Sequence, residues 1–334
     1  MKQTAIVILN WNGKTFLEQF LPALCEQTSL TNADIIVADN NSTDNSIPFL
    51  KENYPQIIVL PFPKNYGFAE GYNKALNDLN YQYVVLLNSD VEVGENWLTP
   101  AIDYLENHPE ATAVQPKILS YKEKTSFEYA GACGGFIDKY GYPFCRGRIL
   151  NSVEKDKGQY DDIIPVFWAS GACLIIRLED YKQAGGLDAR FFAHQEEIDL
   201  CWRLNARGKK IVCLPQSVVY HVGGGTLDKS NPRKTYLNFR NNLLMLYKNL
   251  PKKKYRKIMT VRLFLDYLSA LNFILKGEIN NAKAIWKARN DFHRMKKQYG
   301  KQQESNIDLH EIMFSKSIIG EYYLKGKKKY NQLK

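Results

Sequence analysis

The sequence predicts an α/β protein, a Rossmann-like, mainly parallel sheet flanked by helices. Two patterns predict it. Short β-branched runs alternate with segments of helical spacing, and each run ends on a cluster of Asn, Asp or Ser. Size permits it as well: 334 residues with 45% apolar and 13% aromatic side chains bury a large core without staples.

Residues 4–10, "TAIVILN", read as a buried strand, and "FLEQFLPALCEQ" places Phe16, Leu17, Phe20, Leu21 and Leu24 at helical spacing. "ADIIVADNNSTDNS" is a second strand ending in polar residues. It leads into a short helix, "IPFLKENY", capped by Ser42, Thr43 or Asp44. "QIIVLPF" is a third strand, a helix runs over roughly residues 70–79, and "YVVLLNSD" is a fourth strand. Residues 121–162, rich in Gly and Tyr, read as a long loop or hairpin region, either a lid or a surface excursion. "ACLIIR" is a strand, residues 196–207 a helix, and "KIVCLPQSVVYHV" a last strand. Beyond Thr226 the pattern is helical with basic faces.

Six scattered cysteines without a CxxC argue against a disulfide framework or structural zinc and suit a reducing compartment. The N-terminal apolar run is short for a signal peptide, and residues 258–275 are interrupted by Arg262 and Asp266, so neither a leader nor a span is expected. Charge divides unevenly. Residues 226–334 carry 25 Lys and Arg against 8 Asp and Glu, a net of +17, while the first 225 carry 20 against 27, a net of −7. "PKKKYRK", an apolar run after it, and "KGKKK" suit an anionic lipid surface or, equally, a solvated basic exterior. No nucleic-acid-binding module is recognisable.

Parallel sheets bind ligands at the carboxyl ends of their strands. There the sequence places Asn10 and Asn12, Asp39 to Asn41, Asn65, and Asn88, Ser89 and Asp90. Asp39 can accept hydrogen bonds from a base or sugar, although alone it reads as a turn residue. "KNYGFAEGYNKAL" sets Gly67, Ala69 and Gly71 before a helix and Asn73 in its first turn, where a diphosphate could approach. It is not a P-loop, lacking GK[ST]. Asp90 ends a buried strand, which is costly unless a cation such as magnesium or manganese meets it. In "FFAHQEEIDLCWRLNARG", Asp199 and Arg203 form an architectural i,i+4 pair, while Glu196 or Glu197 could take a proton or merely favour the helix dipole. His221, before "VGGGT", alone reads as a packing residue.

In order, "VILNWNGKTFLEQFLPAL", "IIVADNNSTDNS", "NYGFAEGYN", "LLNSDV", "WASGACLIIR", "FFAHQEEIDLCWR" and "YHVGGGT" resemble family 2 glycosyltransferases, in particular the bacterial rhamnosyltransferase-like branch. The resemblance covers about residues 4–245. It implies a GT-A fold, an inverting mechanism, a nucleotide-sugar donor, a divalent metal ion and a hydroxyl acceptor on a saccharide or lipid-linked saccharide. The expected setting is cell-surface polysaccharide or glycolipid assembly, in the cytoplasm or on the inner membrane face. With the boundary taken at the change of charge and pattern, residues 1–225 are expected to form the catalytic domain, with a nucleotide-binding half at 1–95 and an acceptor half at 96–225, and 226–334 a basic helical extension.

Also by resemblance, Asp39 contacts the donor base beside Asn10, Trp11 and Asn12, and Asn41, Asn65, Gly67 and Asn73 belong to the donor side. Asn88, Ser89 and Asp90 take the DxD position, with Asn replacing the first acid, so Asp90 is its sole acidic metal ligand. Gly171 and Ala172 form a small-residue loop between donor and acceptor, His221 joins the metal, and Glu197 stands at the general base, with Glu196 as its alternative. Two other functions compete: a catalytically silent nucleotide-sugar binder, and a sugar-phosphate nucleotidyltransferase, whose glycine- and arginine-rich opening loop is missing here.

Overall fold

The computed structural model describes residues 2–29, 31–223, 231–299 and 312–333. The N-terminal third alternates as its patterning requires: β1 (Thr4–Asn10), α1 (Lys14–Ser29), β2 (Ala33–Asp39), α2 (Ser46–Asn53), β3 (Ile58–Pro61), α3 (Gly67–Asn77) and β4 (Tyr83–Asn88). β1 pairs in parallel with both β2 and β4, and β2 with β3. Alternate residues of β1 face opposite ways. Ala5 and Val7 enter a core with Tyr72 and Leu76 of α3, while Ile6 and Ile8 meet Leu17, Leu21 and Leu24 of α1. The helix-period residues of α1 are therefore the ones that seal one face of the sheet.

After β5 (Val91–Val93), α4 (Thr99–Asn107) and the long β6 (Ala111–Ser120), residues 135–153 form a second, four-stranded antiparallel sheet. Its strands are β7 (Gly135–Ile137), β8 (Pro143–Cys145), β9 (Arg148–Ile149) and β10 (Ser152–Val153). Of the expected loop or hairpin region, residues 135–153 thus take the hairpin form and are packed. Cys133, Phe144, Cys145 and Ile149 are buried within it, and its glycines bend the chain between strands too short to show periodicity.

The chain then returns through β11 (Ile164–Pro165), β12 (Cys173–Arg177), α5 (Leu178–Gln183), α6 (Glu196–Asn205) and β13 (Lys210–His221). The main sheet has the order β11-β13-β6-β12-β4-β1-β2-β3, with β5 paired to β13. β12 is antiparallel to both β4 and β6, while β6 and β13 are parallel. The β6–β13 register shifts between Leu214 and Val218, around Pro215, which lacks a ladder N–H. That irregularity re-aims the end of β13 so that His221 pairs with Val91, beside Asp90.

The C-terminal helices are α7 (Pro232–Asn249), α8 (Lys252–Leu275), α9 (Ile279–Met295) and the short α10 (Ile318–Tyr323). They dock through polar locks. Lys248 of α7 lies 2.7 Å from both Asp188 and Asp199, and Asn249 donates to Asp199 at 2.8 Å. Residues 314–330 return to the small sheet, where the Ile318 amide donates to Asp138 at 2.9 Å and the Tyr330 amide to Glu154 at 3.0 Å. In "KGKKK", Lys325 and Lys327 are taken up by Glu321.

α8 is long and apolar enough to cross a membrane by length and composition, yet its central charges face the protein. Arg262 pairs with Asp266 at 3.2 Å, donates to the Tyr140 carbonyl and to Asn242, and stacks over Tyr142, while Arg289 of α9 holds the other Asp266 oxygen at 2.5 Å. Removing one partner of such a buried cluster leaves the others unpaired. Arg262→Met is expected to lower folding stability by about 3 kcal/mol, checked by denaturant unfolding; the Arg289 contact to Asp266 keeps the loss at the lower end of the range for buried pairs.

Candidate active site

The parallel register gathers the strand-end residues on one edge. Asn10 stands opposite Asp39 and Leu9 opposite Asn88. The Asn10 side-chain amide donates to Asp39 Oδ1 at 2.9 Å, and the Ser42 amide donates to Asp39 Oδ2 at 2.9 Å. Asp39 is buried and held by neutral donors, with acceptor capacity remaining. Asn12, at φ 51°, accepts the Thr43 amide at 2.7 Å, and its own amide donates to Ser42 Oγ at 2.9 Å. Asp44 accepts the Ser46 amide at 3.1 Å at the start of α2, so it fills the expected cap role from one residue before the N-cap, Asn45.

Trp11 is half exposed beside this turn, and Asn41 is exposed at φ 62°. Gly13 lies close underneath: a Cβ there would come 2.5 Å from Asn10 Oδ1 and 3.5 Å from Ser89 Oγ. Across the edge, the Asn88 amide donates to the Ala172 carbonyl at 3.0 Å, which ties the fourth strand to the Gly171–Ala172 loop.

Asp90 and His221 meet at the end of this edge, Oδ1 to Nε2 at 3.2 Å. The other ring nitrogen, Nδ1, lies 3.4 Å from Glu128 Oε2, an ion-pair contact without hydrogen-bond alignment. Burial favours the neutral ring, but the close contact with Asp90 and the charges of Asp90 and Glu128 outweigh it and push His221 up to about 10. Glu128 is a residue that sequence reasoning missed. It lies between β6 and the small sheet and carries no motif; only the fold brings it to His221.

Asp90 and His221 set a carboxylate beside an imidazole, donor types that a divalent cation takes, while the described residues contain no group of three or more His, Cys, Asp or Glu placed to hold a metal ion. The glycines at 224 and 225, part of the "YHVGGGT" pattern, lie outside the described residues.

The glycine segment differs from expectation. α3 starts at Gly67 itself, so Ala69 and Gly71 are helical and Asn73 lies beyond the first turn. The first amides of the helix are already used: Gly67 donates to Asn65 Oδ1 at 2.7 Å, and Phe68 donates to the Phe192 carbonyl at 2.9 Å. The space made by Gly67 (φ 74°) is filled by the Phe192 ring, and that made by Gly71 by Leu9. These glycines serve close packing, and Gly67 offers no diphosphate cradle. Asn73 is likewise corrected: it bridges Leu187 and Tyr181, accepting from the Leu187 amide at 2.9 Å and donating to its carbonyl at 2.7 Å. Asn65 braces the start of the helix together with Asn40, which donates to its Oδ1 at 3.0 Å.

The acids of α6 sit beyond a strained connection. Phe192, His194 and Gln195 all have positive φ, between 67° and 72°, a costly conformation for residues with side chains. Asn241 of α7 holds the connection, donating to the carbonyls of Phe191 at 3.0 Å, Ala193 at 2.8 Å and His194 at 2.7 Å, while Arg240 reaches Phe191 O at 2.9 Å. No motif in the sequence marks the clamp residues "FRNN", because their partners are backbone atoms far away in sequence.

Oε2 of both Glu196 and Glu197 is buried without a hydrogen-bond partner among the described residues. Burial pushes Glu197 up to about 7 against the pull of backbone hydrogen bonds; burial and then the Glu197 charge push Glu196 well above the carboxylate range. A Cβ on Gly171 would lie 3.8 Å from the Glu197 Cβ, so the small-residue loop borders the second acid. The i,i+4 pair is also present, Asp199 to Arg203 at 3.0 Å, and fully buried on the acid's side.

A Gly67→Ala substitution tests the packing assignment. It is expected to cost about 1–2 kcal/mol of stability in denaturant unfolding. Adding Phe192→Ala should not restore the wild-type value, since the φ of residue 67 stays positive.

Residues 5–173 match the family model described as "Glycosyl transferase family 2". The N-acetylglucosaminyl-diphospho-decaprenol L-rhamnosyltransferase of Mycobacterium tuberculosis is 27% identical over 234 residues, covering 65% of this chain and 75% of that one. Among solved structures, S. aureus TarS 1–349 aligns with TM-score 0.57 at 14% identity, covering 87% of this chain and 80% of its own. The mannosyltransferase PcManGT of Pyrobaculum calidifontis, in complex with GDP-Man and Mn2+, aligns with TM-score 0.53 at 13% identity, covering 86% and 75%. By its family match and its fold, the chain belongs to glycosyl transferase family 2 and is a glycosyltransferase with a GT-A fold.

Proposed function

We propose that this chain transfers a sugar, with inversion, from a nucleotide-sugar donor to a hydroxyl of a lipid-linked saccharide during cell-surface polysaccharide or glycolipid assembly. The observation that carries the chemistry is the pair of carboxyl groups at the start of α6, each with a buried Oε2 that has no hydrogen-bond partner among the described residues, one of them raised to about 7. The saccharide setting is supported by the relative named a decaprenol-linked L-rhamnosyltransferase.

In this reading Glu197 is the base and Glu196 stays protonated, because its carboxyl is raised further by the neighbouring charge. Glu197 takes the acceptor hydroxyl proton, the acceptor oxygen bonds to the anomeric carbon from the face opposite the leaving group, and the bond to the diphosphate breaks, its electron pair leaving with the nucleotide. Asn10, Trp11, Asn12, Asp39 and Asn41 receive the nucleoside. Asn88 and Ser89 line the sugar-diphosphate side, and Gly171 and Ala172 leave room where donor and acceptor meet. Asp90, and His221 once its Nε2 proton is displaced, would hold a magnesium or manganese ion, which supplies charge neutralisation on the diphosphate. Glu128 orients the His221 ring from behind.

Glu197→Gln is expected to lower kcat by about 10² to 10⁴ with donor binding retained, measured as transfer alongside nucleotide titration. A base near 7 is protonated in acid, so kcat should fall about tenfold per pH unit below that value and level off above it. Asp90→Ala should abolish the manganese-dependent part of the thermal shift produced by nucleoside diphosphates. No response to any nucleotide in that assay would overturn the reading.

A further inference from the structure

α8 is amphipathic in the inverse sense. Arg262 and Asp266 point into the protein and are 1% and 0% exposed. Phe264, Leu268, Leu271 and Leu275, at i, i+4, i+7 and i+11, form one stripe on the opposite side, and they are 72%, 60%, 50% and 79% exposed. Tyr267 and Ile274 flank the stripe, and Ile279 continues it past the turn at Gly277. Such a contiguous apolar face on a soluble protein marks an interaction surface.

The same stripe changes character along the helix. Extended toward the N-terminus by the same spacing, it passes through Lys257 and Lys253, and both are exposed. Lys252, Lys254 and Arg256 surround them, also exposed. One end of the helix therefore offers positive charge and the other offers hydrocarbon, on one face.

We propose that this face of α8 seats the protein on an anionic lipid surface, with the helix lying along the boundary between headgroups and acyl chains. The basic first turns meet lipid phosphates and the Phe264–Leu275 stripe enters the acyl layer. Spanning is disfavoured by the helix's other face: its Arg262–Asp266–Arg289 cluster is locked to Tyr142 and Asn242, and crossing would expose these charges to hydrocarbon. Charge favours lipid over a second copy of the chain, because two surfaces from a segment of net +17 repel each other and an anionic bilayer attracts both. The proposal deepens the reading of a lipid-linked acceptor, since it holds the enzyme where such an acceptor resides.

The test is flotation of the full chain with vesicles of phosphatidylglycerol and phosphatidylethanolamine, against vesicles of phosphatidylcholine alone. Binding to the anionic vesicles is expected, weakening as salt rises. Phe264→Asp and Leu268→Asp should each lower vesicle affinity by about tenfold or more, and Lys253→Glu with Lys257→Glu should remove most of the salt dependence. Unchanged thermal unfolding and an unchanged nucleotide-induced thermal shift in each variant show that the fold and the site are intact. Absence of binding to anionic vesicles, binding indifferent to Phe264→Asp and Leu268→Asp, or a solution dimer that Leu268→Asp dissociates would each overturn the proposal. Flotation involves no sugar transfer, so a chain that floats but responds to no nucleotide would sink the reading of the site and leave the surface standing.

Discussion

Asp199 is the constraint on which the rest of the structure depends. It has no exposure, and three partners from two helices meet its carboxylate: Arg203 on its own helix, and Lys248 and Asn249 on α7. A lone carboxylate at that depth would be expensive, and two cations with an amide offset the cost. Because Lys248 also holds Asp188, the same contact fixes both ends of the connection that precedes α6. The position of the two catalytic-candidate acids is therefore set by a helix that carries no catalytic residue.

This arrangement accounts for what the adjacent segment tolerates. Glu196 is buried and Glu197 half-buried beside it, neither Oε2 has a hydrogen-bond partner among the described residues, and the residues before them sit at positive φ. Each feature is unfavourable on its own. Asn241 gathers three carbonyls of this segment, and Phe192 fills the space left by Gly67 while its carbonyl caps α3. Strain and raised carboxyl groups persist together because α3, α6 and α7 over-determine the loop between them. The proposed mechanism draws on the same cost, since a carboxylate raised by burial is the form of acid that exchanges protons near neutrality.

The C-terminal helices consequently have two unlike faces. Inward they are polar and complementary, with Lys248, Asn241, Asn242 and Arg262 each engaged by the catalytic domain or by one another. Outward, α8 is apolar. A segment that reads as a basic appendage is structurally part of the site's support, and its exposed stripe is the surface left over once the inward polar contacts are made.

Much of this was legible in the sequence. Strand and helix alternation fixed the architecture because side-chain periodicity is a local property, and the strand ends at Asn10, Asp39 and Asp90 could be named because parallel sheets carry sites at that edge. The order "EEID" followed by Arg203 gave the helix, its acids and its internal ion pair. Other features depended on contacts between residues far apart in sequence, which local pattern does not encode. Gly67 and Asn73 looked like a phosphate cradle until Phe192, Leu187 and Tyr181 took their partners. Residues 121–162 leave loop and hairpin undecided in the sequence because two- and three-residue strands are too short to have a period. Glu128 and Asn241 had no signal at all, since one earns its place through an imidazole from β13 and the other through backbone carbonyls of a distant turn. Sequence alone determined the alternating strands and helices of the N-terminal third and the edge at which the polar residues collect; only the tertiary structure decided which of those residues remain available to a ligand, because each hydrogen-bonding group has few partners and the fold assigns them.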